Sequence, residues 1–584
     1  MKNRICSRLL PYLFLLSLTL SGCRLPVETV GDLILSREES YEKAEFAELQ
    51  VADAAKLYRR DEPERITVLY LAVAPGNEAD GTDYTWTQIN TVPLEEQADK
   101  PYQCEGVLQL GDENAPTEGS FGYGQLTANC VVRLQGANAS RRQQKSYRIS
   151  IKTGMGSVDG MKSLVLSKSF SDPLRITNML CYRLMENIPA LLSTRTQLVH
   201  LYVKDASDAD ALYQDYGLYT MVEPINKTYF KNRNLDGDGG IYKANCFDFA
   251  RHADVIMAAT SPQYQLSAFE ALLEVKGDHD HSHLLEMLEA VNNPDIPIRQ
   301  VVNTYFEPDN LYTWLAFNLL TGNKDASTEN YYLYNPTGSD RFYFISWDND
   351  GAFRDAYEEM RAPGQSPGWD TGVYSFYDNV LFRRILQDPD CISALSTAVD
   401  ILYETYLTEA AVLSEAEPLT ELAVDGIYSL PDRTFARVTR QQYDELAAQL
   451  GLQVTENYYR YYESLEKPAP FHILEPQLLP AGGLLLSWEE ADCTQPVTYT
   501  VQLDDAWDFG TPLLSGDRQE TQWIVDRLPV GQYFLKVTAT IPGGQSQIAY
   551  EFYPTEQKTT VYGVLCFYVL QDGSVHASYF DGGD

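Results

Sequence analysis

The chain changes its hydrophobic rhythm twice. From about residue 65 to 152 apolar and polar positions alternate, as in Ile66-Thr67-Val68-Leu69-Tyr70-Leu71-Ala72-Val73, the period of half-buried strands. Helix and strand signals then alternate to about residue 245, and residues 265–460 read as mostly helical. Leu311, Leu315 and Leu319 recur at helical spacing, with Asp309 as the expected N-cap and Gly322 as the stop. Embedded in this region are two aromatic runs, Tyr331-Tyr332-Leu333-Tyr334 and Arg341-Phe342-Tyr343-Phe344-Ile345. They flank Asn335-Pro336-Thr337-Gly338-Ser339-Asp340, a turn by composition, and so predict a β-hairpin. After about residue 466 short strand patterns return, at Leu484–Trp488, Tyr499–Leu503 and Leu528–Tyr533. Strands first and helices later predict an α+β, two-lobed fold with a cleft between the lobes, followed by a small all-β sandwich.

The hairpin gives the polar residues around it a meaning. Asp325 falls just beyond the Leu311–Leu319 helix and Asn330 just before the first strand. Trp347-Asp348-Asn349-Asp350 follows the second strand. Folding about the turn sets Asn330 roughly opposite Trp347 and Asp348, with Asp325 beside them. A carboxylate to take a hydroxyl proton, and an Asn and an Asp to hold Mg2+, form the side-chain inventory of phosphoryl transfer. Taken singly, each of these residues is an ordinary cap or turn former; the hairpin makes them a set.

Several ordered blocks resemble the spore coat protein H (CotH-like) kinase family, atypical relatives of protein kinases. They are Gly136–Arg141, Lys145-Ser146-Tyr147-Arg148-Ile149, Ser171–Asn178, Tyr216–Ile225 and the Asp325–Asp350 block. The resemblance spans about residues 65–460. It implies a kinase-like fold and ATP- and Mg2+-dependent phosphorylation of Ser or Thr in protein substrates. It also implies Asp325 as the catalytic-loop Asp, Asn330 as a metal ligand and Asp348 as the second metal ligand. His-Arg-Asp is replaced by Asn323-Lys324-Asp325, and the block that carries Asp348 has no Asp-Phe-Gly. For the phosphate-binding lysine the sequence offers Lys145, on the face of Tyr147 and Ile149, or Lys152 on the other face. Either is equally an edge-strand lysine. Glu223 closes an apolar strand and would contact nucleotide, orient a lysine or simply be solvated. Trp347 would stack on adenine or belong to the core. The Leu528-x-x-Gly531-x-Tyr533 phrase resembles a fibronectin type III tyrosine corner.

Three clusters invite chemistry and are better read as structure. Gly119–Gly124 is a glycine-rich turn, and Asp236–Gly240 lacks the distal Glu of a calcium loop. Asp278–His283 is a solvated loop entering a helix with Ser282 as N-cap. Of nine Cys, Cys6 and Cys23 lie near the N-terminus, and the other seven are widely spaced, without a Cys-x-x-Cys pair. No disulfide framework or zinc site is expected.

Lys2, Arg4 and Arg8 precede an apolar run from Leu9 to Leu20 and then Ser21-Gly22-Cys23, the pattern of a bacterial export signal ending in a lipobox. Cys23 would be lipidated, placing the protein on the outer side of the bacterial cell membrane through an N-terminal lipid anchor. The formal charge of −37 excludes a nucleic-acid binder and suits basic, Ser-rich protein substrates. The expected organisation is a signal peptide at 1–22, an acidic spacer at 23–64 and a kinase-like domain at 65–465. A fibronectin-like domain at 466–555 and a β-rich extension at 556–584 follow. The alternative to a kinase is a catalytically silent, kinase-like surface module for adhesion or cell-wall binding.

Overall fold

The computed structural model describes residues 51–580, apart from 62–63, 98–99, 365–367, 481 and 558. The segment expected as a leader, Cys23 and most of the expected acidic spacer lie outside the described residues.

The first lobe is a closed barrel. Its strands are β1 (Thr67–Ala74), β2 (Cys104–Gly111), β3 (Cys130–Leu134), β4 (Tyr147–Ile151), β5 (Ser163–Ser167), β6 (Thr196–Asp205) and β7 (Gln214–Val222). They run in the order β1-β2-β3-β4-β5-β7-β6, closed by a parallel β6–β1 pair. Alternation drives the closure: Tyr147, Ile149, Leu164 and Leu166 turn inward to a core of their own, while Arg148 and Ser150 stay outside.

The second lobe is largely helical. Helix α1 (Thr177–Met185) lies between β5 and β6 in sequence but buries Met179, Leu180 and Tyr182 in this lobe's core. A four-stranded sheet joins β8 (Gly240–Ala244), β9 (Leu273–Val275), β10 (Tyr331–Asn335) and β11 (Tyr343–Ser346) in the order β11-β10-β8-β9. The lobe's longest helices among the described residues are α2 (Pro308–Thr321), α3 (Glu409–Ile427) and α4 (Arg440–Leu465). Glu307, not Asp309, occupies the N-cap of α2. Pro308 suits the first helical position, where no amide donor is needed, and so moves Asp309 into the first turn. Gly322 ends the helix in the left-handed conformation (φ 65°), as expected. The 278–283 loop also differs in detail: Asp280 accepts the Ser282 amide at 3.0 Å, and Ser282 is the first helical residue instead of the cap.

Residues after 466 form a small two-stranded sheet of Phe552–Pro554 with Thr560–Tyr562 and two facing sheets. One contains Ile473–Leu478, Leu484–Trp488 and Gln522–Val525. The other is built on Thr498–Asp504 and Gly531–Thr540. The Tyr533 hydroxyl donates to the Pro529 carbonyl at 3.0 Å, which is the tyrosine corner anticipated from Leu528–Tyr533.

Two expected boundaries move. Val51 is buried in the helical-lobe core, and Asp53 pairs with Arg233 at 3.0 Å, so residues from 51 belong to the folded unit and not to a spacer. Residues expected as a separate extension supply Val564–Val569 and Val575–Ser578 to the sandwich, where Leu565 and Phe567 are core residues. The seven cysteines among the described residues are free, and five of them are buried. No helix among the described residues is long and apolar enough to cross a membrane.

Candidate active site

The hairpin forms with Tyr331 opposite Ser346 and Tyr332 opposite Ile345, but its second strand begins at Tyr343 and not at Arg341, because Phe342 pairs instead with Phe306. The ladder continues one step past the strands: the Trp347 amide donates to the Asn330 carbonyl at 2.9 Å. Asn330 and Asp348 thus reach one end of the hairpin together. Both have positive φ, 62° and 53°, a conformation that Asn and Asp adopt more readily than most residues.

Helix α1 fixes the second strand's exit. Asn178 and Tyr182, one turn apart on one face, hold successive backbone amides. Asn178 Oδ1 accepts from Asn349 at 2.9 Å, and the Tyr182 hydroxyl accepts from Asp348 at 3.2 Å. The helix start is itself set by Asp172, whose carboxylate accepts from the Leu174 and Thr177 amides at 2.8 and 2.9 Å. The Ser171–Asn178 block therefore serves the site by clamping the peptide that carries Asp348.

Asp325 sits in a short 3-10 turn, Lys324–Ser327, directly after Gly322 and Asn323. It lies so close to Gly351 that a Cβ there would fall 2.5 Å from its Oδ2 and 2.8 Å from Asn323 Oδ1. Only a glycine admits this approach. Asp350, which sequence reasoning named but gave no role, accepts from Ser171 Oγ at 2.6 Å. Removal from water and then Asp348 push its carboxyl up to about 8. Asp348 is raised as well, by removal from water, opposed by Lys243 and reinforced by Asp325. Three carboxylates therefore converge, with Lys243 of β8 as the cation near Asp348. Lys243 was missed in the sequence because nothing local links it to the hairpin; it reaches the site through its pairing opposite Tyr332.

This donor set fits a divalent cation. Asn323 Oδ1 is buried without a hydrogen-bond partner beside Asp325, and the carboxyls of Asp348 and Asp350 are both raised by removal from water. Among the described residues no three His, Cys, Asp or Glu side chains are already closed around one point.

The other expected ligands are placed differently. Lys145 precedes β4 instead of lying on it, and its ammonium donates to the Ser140 carbonyl at 2.6 Å. Lys152 is held by Glu105 at 2.6 Å. Glu223 is buried and paired with Arg233 at 3.0 Å, so it orients no lysine. Lys152 and Glu223 each meet an opposite charge near a strand end, whereas Lys145 is taken by a neutral carbonyl. Trp347 is buried and edge-on to Tyr332, with ring centroids 5.9 Å apart.

Among curated proteins, none matches the chain. Among solved structures it is similar to a chain of the Shewanella oneidensis MR-1 toxin–antitoxin HipA, HipB and operator DNA complex. That similarity has 13% identity and a TM-score of 0.23, covering 67% of this chain and 72% of that one, a likeness too low to inform the site. The family model for CotH kinase protein matches residues 132–459, which takes in barrel strands β4 to β7 and most of β3, the α1 clamp, the hairpin and all three convergent carboxylates. The chain belongs to the CotH kinase protein family.

Proposed function

We propose that the protein is an ATP- and Mg2+-dependent kinase acting on Ser or Thr of protein substrates. The observation that carries this reading is the meeting of Asp325, Asp348 and Asp350, with Asn330 at the same hairpin end and two of the carboxyls raised. Asp325 would receive the proton of the substrate hydroxyl or hold that hydroxyl in line. Asp348 and Asn330 would hold Mg2+, with α1 keeping the Asp348 peptide in place. Bound Mg2+ would neutralise charge on the phosphate oxygens during transfer.

Purified full-length protein, labelled ATP, Mg2+ and a basic Ser-rich acceptor peptide test this directly. Transfer is expected for the wild type and a loss of about 10³-fold or more for Asp325→Ala. A wild type that neither transfers phosphate nor binds nucleotide in the presence of Mg2+ returns the protein to the silent-module reading. A basic substrate further predicts that the peptide KM rises steeply with salt; a flat response removes the charge preference.

We further propose that the enzyme is tethered outside the cell through lipid on Cys23, a reading supported by the Leu20-Ser21-Gly22-Cys23 sequence. In cells fed a labelled fatty acid, the wild type is expected in the membrane fraction with label, and Cys23→Ser in neither state. Equal labelling of the two proteins would end the proposal.

A further inference from the structure

Arg133 on β3 and Arg148 on β4 are direct cross-strand partners. Tyr147 and Ile149 point into the barrel, so Arg148 points out. The same cross-strand row continues through Val165 on β5 to Val222 on β7. Both valines are buried in the core of the helical lobe. This outer row of the barrel is therefore the one turned toward the second lobe, and it forms the ceiling of the cleft.

The floor is also a register row. Glu274, Lys243, Tyr332 and Ile345 lie in line across β9, β8, β10 and β11. Trp347 follows on the face of Ile345, edge-on to Tyr332. Ceiling and floor sense each other: Arg148 opposes the rise that burial imposes on the Tyr332 phenol, and Glu274 supports the charge of Arg133. Lys243 of the same floor row acts on Asp348. The arginines thus overlook the cleft whose far end holds the convergent carboxylates.

Two guanidinium groups directly opposite on adjacent strands repel, and burial together with Arg148 lowers Arg133 further. Their hydrogen bonds are to neutral groups. Arg148 Nε donates to Ser163 Oγ at 3.3 Å, and an Arg133 guanidinium nitrogen donates to the Leu134 carbonyl at 3.2 Å. Glu274, the acid that faces them, is itself bridged by Lys276. In a chain with 82 acidic residues, neutralising such a pair with a carboxylate would have been easy. An un-neutralised pair of planar guanidinium forks is suited to an anion with several oxygens, which can bridge both.

We propose that Arg133 and Arg148 bind the polyphosphate chain of the nucleotide, the role expected of Lys145 or Lys152. The proposal rests on the kinase reading and adds the residues that hold the phosphates from the barrel side. The arginines bridge phosphate oxygens from above, while the carboxylate end below takes the metal.

The test is equilibrium binding of adenosine, ADP and ATP to the full-length protein, with inorganic tripolyphosphate as competitor. It compares wild type, Arg133→Gln, Arg148→Gln, Arg148→Lys and Asp348→Asn, all checked for native circular dichroism. Each Gln variant is expected to weaken ATP about 10-fold or more and leave adenosine within about twofold, the base contacts being untouched. Competition by tripolyphosphate is expected to disappear, and Arg148→Lys to recover part of the loss. Gln variants that bind ATP as the wild type does, while Asp348→Asn loses the Mg2+-dependent gain, would overturn the arginine site and leave the kinase reading standing. A wild type that binds ATP no better than adenosine, with or without Mg2+, overturns both.

Discussion

Asp348→Asn is expected to abolish phosphoryl transfer while leaving the metal-free protein at least as stable as the wild type. Asn keeps the volume of Asp and tolerates the left-handed backbone at φ 53° that Asp348 occupies. The grip of Tyr182 on its backbone amide needs no carboxylate. What disappears is a negative charge crowded by Asp325 and Asp350. A carboxyl raised in the fold binds a proton that the unfolded chain has already released, so stability falls as pH rises between the unfolded and folded pKa. For Asp350 that window runs from the ordinary carboxylate range to about 8, and Asp348 is shifted in the same direction. Metal-free wild type should therefore lose stability from acid toward pH 8. Asp348→Asn removes one raised carboxyl and relaxes Asp350, which flattens the profile. Transfer should fall by about 10³-fold or more, since a preorganised electrostatic contact is lost in a water-poor site. Urea midpoints between pH 5 and 8 in chelator, paired with the transfer assay, check both halves. A variant that is less stable than wild type at pH 8 would mean that the carboxylate is already compensated.

Asp432→Asn should be the most damaging single substitution away from the site, costing about 3–5 kcal/mol. Asp432 belongs to the short turn Asp432–Phe435 between α3 and α4, yet its carboxylate is fully buried at the barrel. One oxygen accepts from Lys168 at 2.8 Å, Arg175 at 3.0 Å and Gln144 at 2.8 Å, and the other accepts from the Leu218 amide at 2.8 Å. Every neighbour is a donor. An amide nitrogen placed there would face donors and leave two cations buried without a counter-charge. Lys168 is held down to about 8 chiefly by burial, with Asp432 opposing that fall. Gly217 makes the approach possible: a Cβ there would fall 1.8 Å from Asp432 Oδ2. The Tyr216-Gly217-Leu218-Tyr219 block is thereby explained as the socket for a carboxylate from the other lobe. A drop in the urea midpoint at unchanged m-value would report the loss. A change below about 1 kcal/mol would show that the carboxylate's charge is not needed at this junction.

Much of the site was legible in the chain, and the reason is local. A two-residue period, a segment of turn residues and a left-handed glycine set the hairpin and the helix end, so the meeting of Asn330 with Trp347 followed from near neighbours. The Tyr533 corner was legible for the same reason, its bond spanning four residues. The lysines failed where the reading extended a strand beyond its hydrogen bonds. Lys145 lies outside β4, and once there it takes the Ser140 carbonyl. Glu223 failed differently. Its partner Arg233 is nearby in sequence, but that pairing belongs to a buried network with Asp53, a residue assigned to a spacer.

By itself the sequence determined the α+β order, the sandwich, the hairpin and the trio Asp325, Asn330 and Asp348, because periodicity and turn chemistry act over a few residues. Tertiary structure alone decided which charges meet. Asp432 and Arg175 are 257 residues apart, Ser171 and Asp350 are 179 apart, and the Arg133–Arg148 row faces the cleft only because the barrel closes. Burial removes the water that would otherwise make those pairings interchangeable, so the partner of each charged group is set by the closed fold and not by its neighbours in the chain.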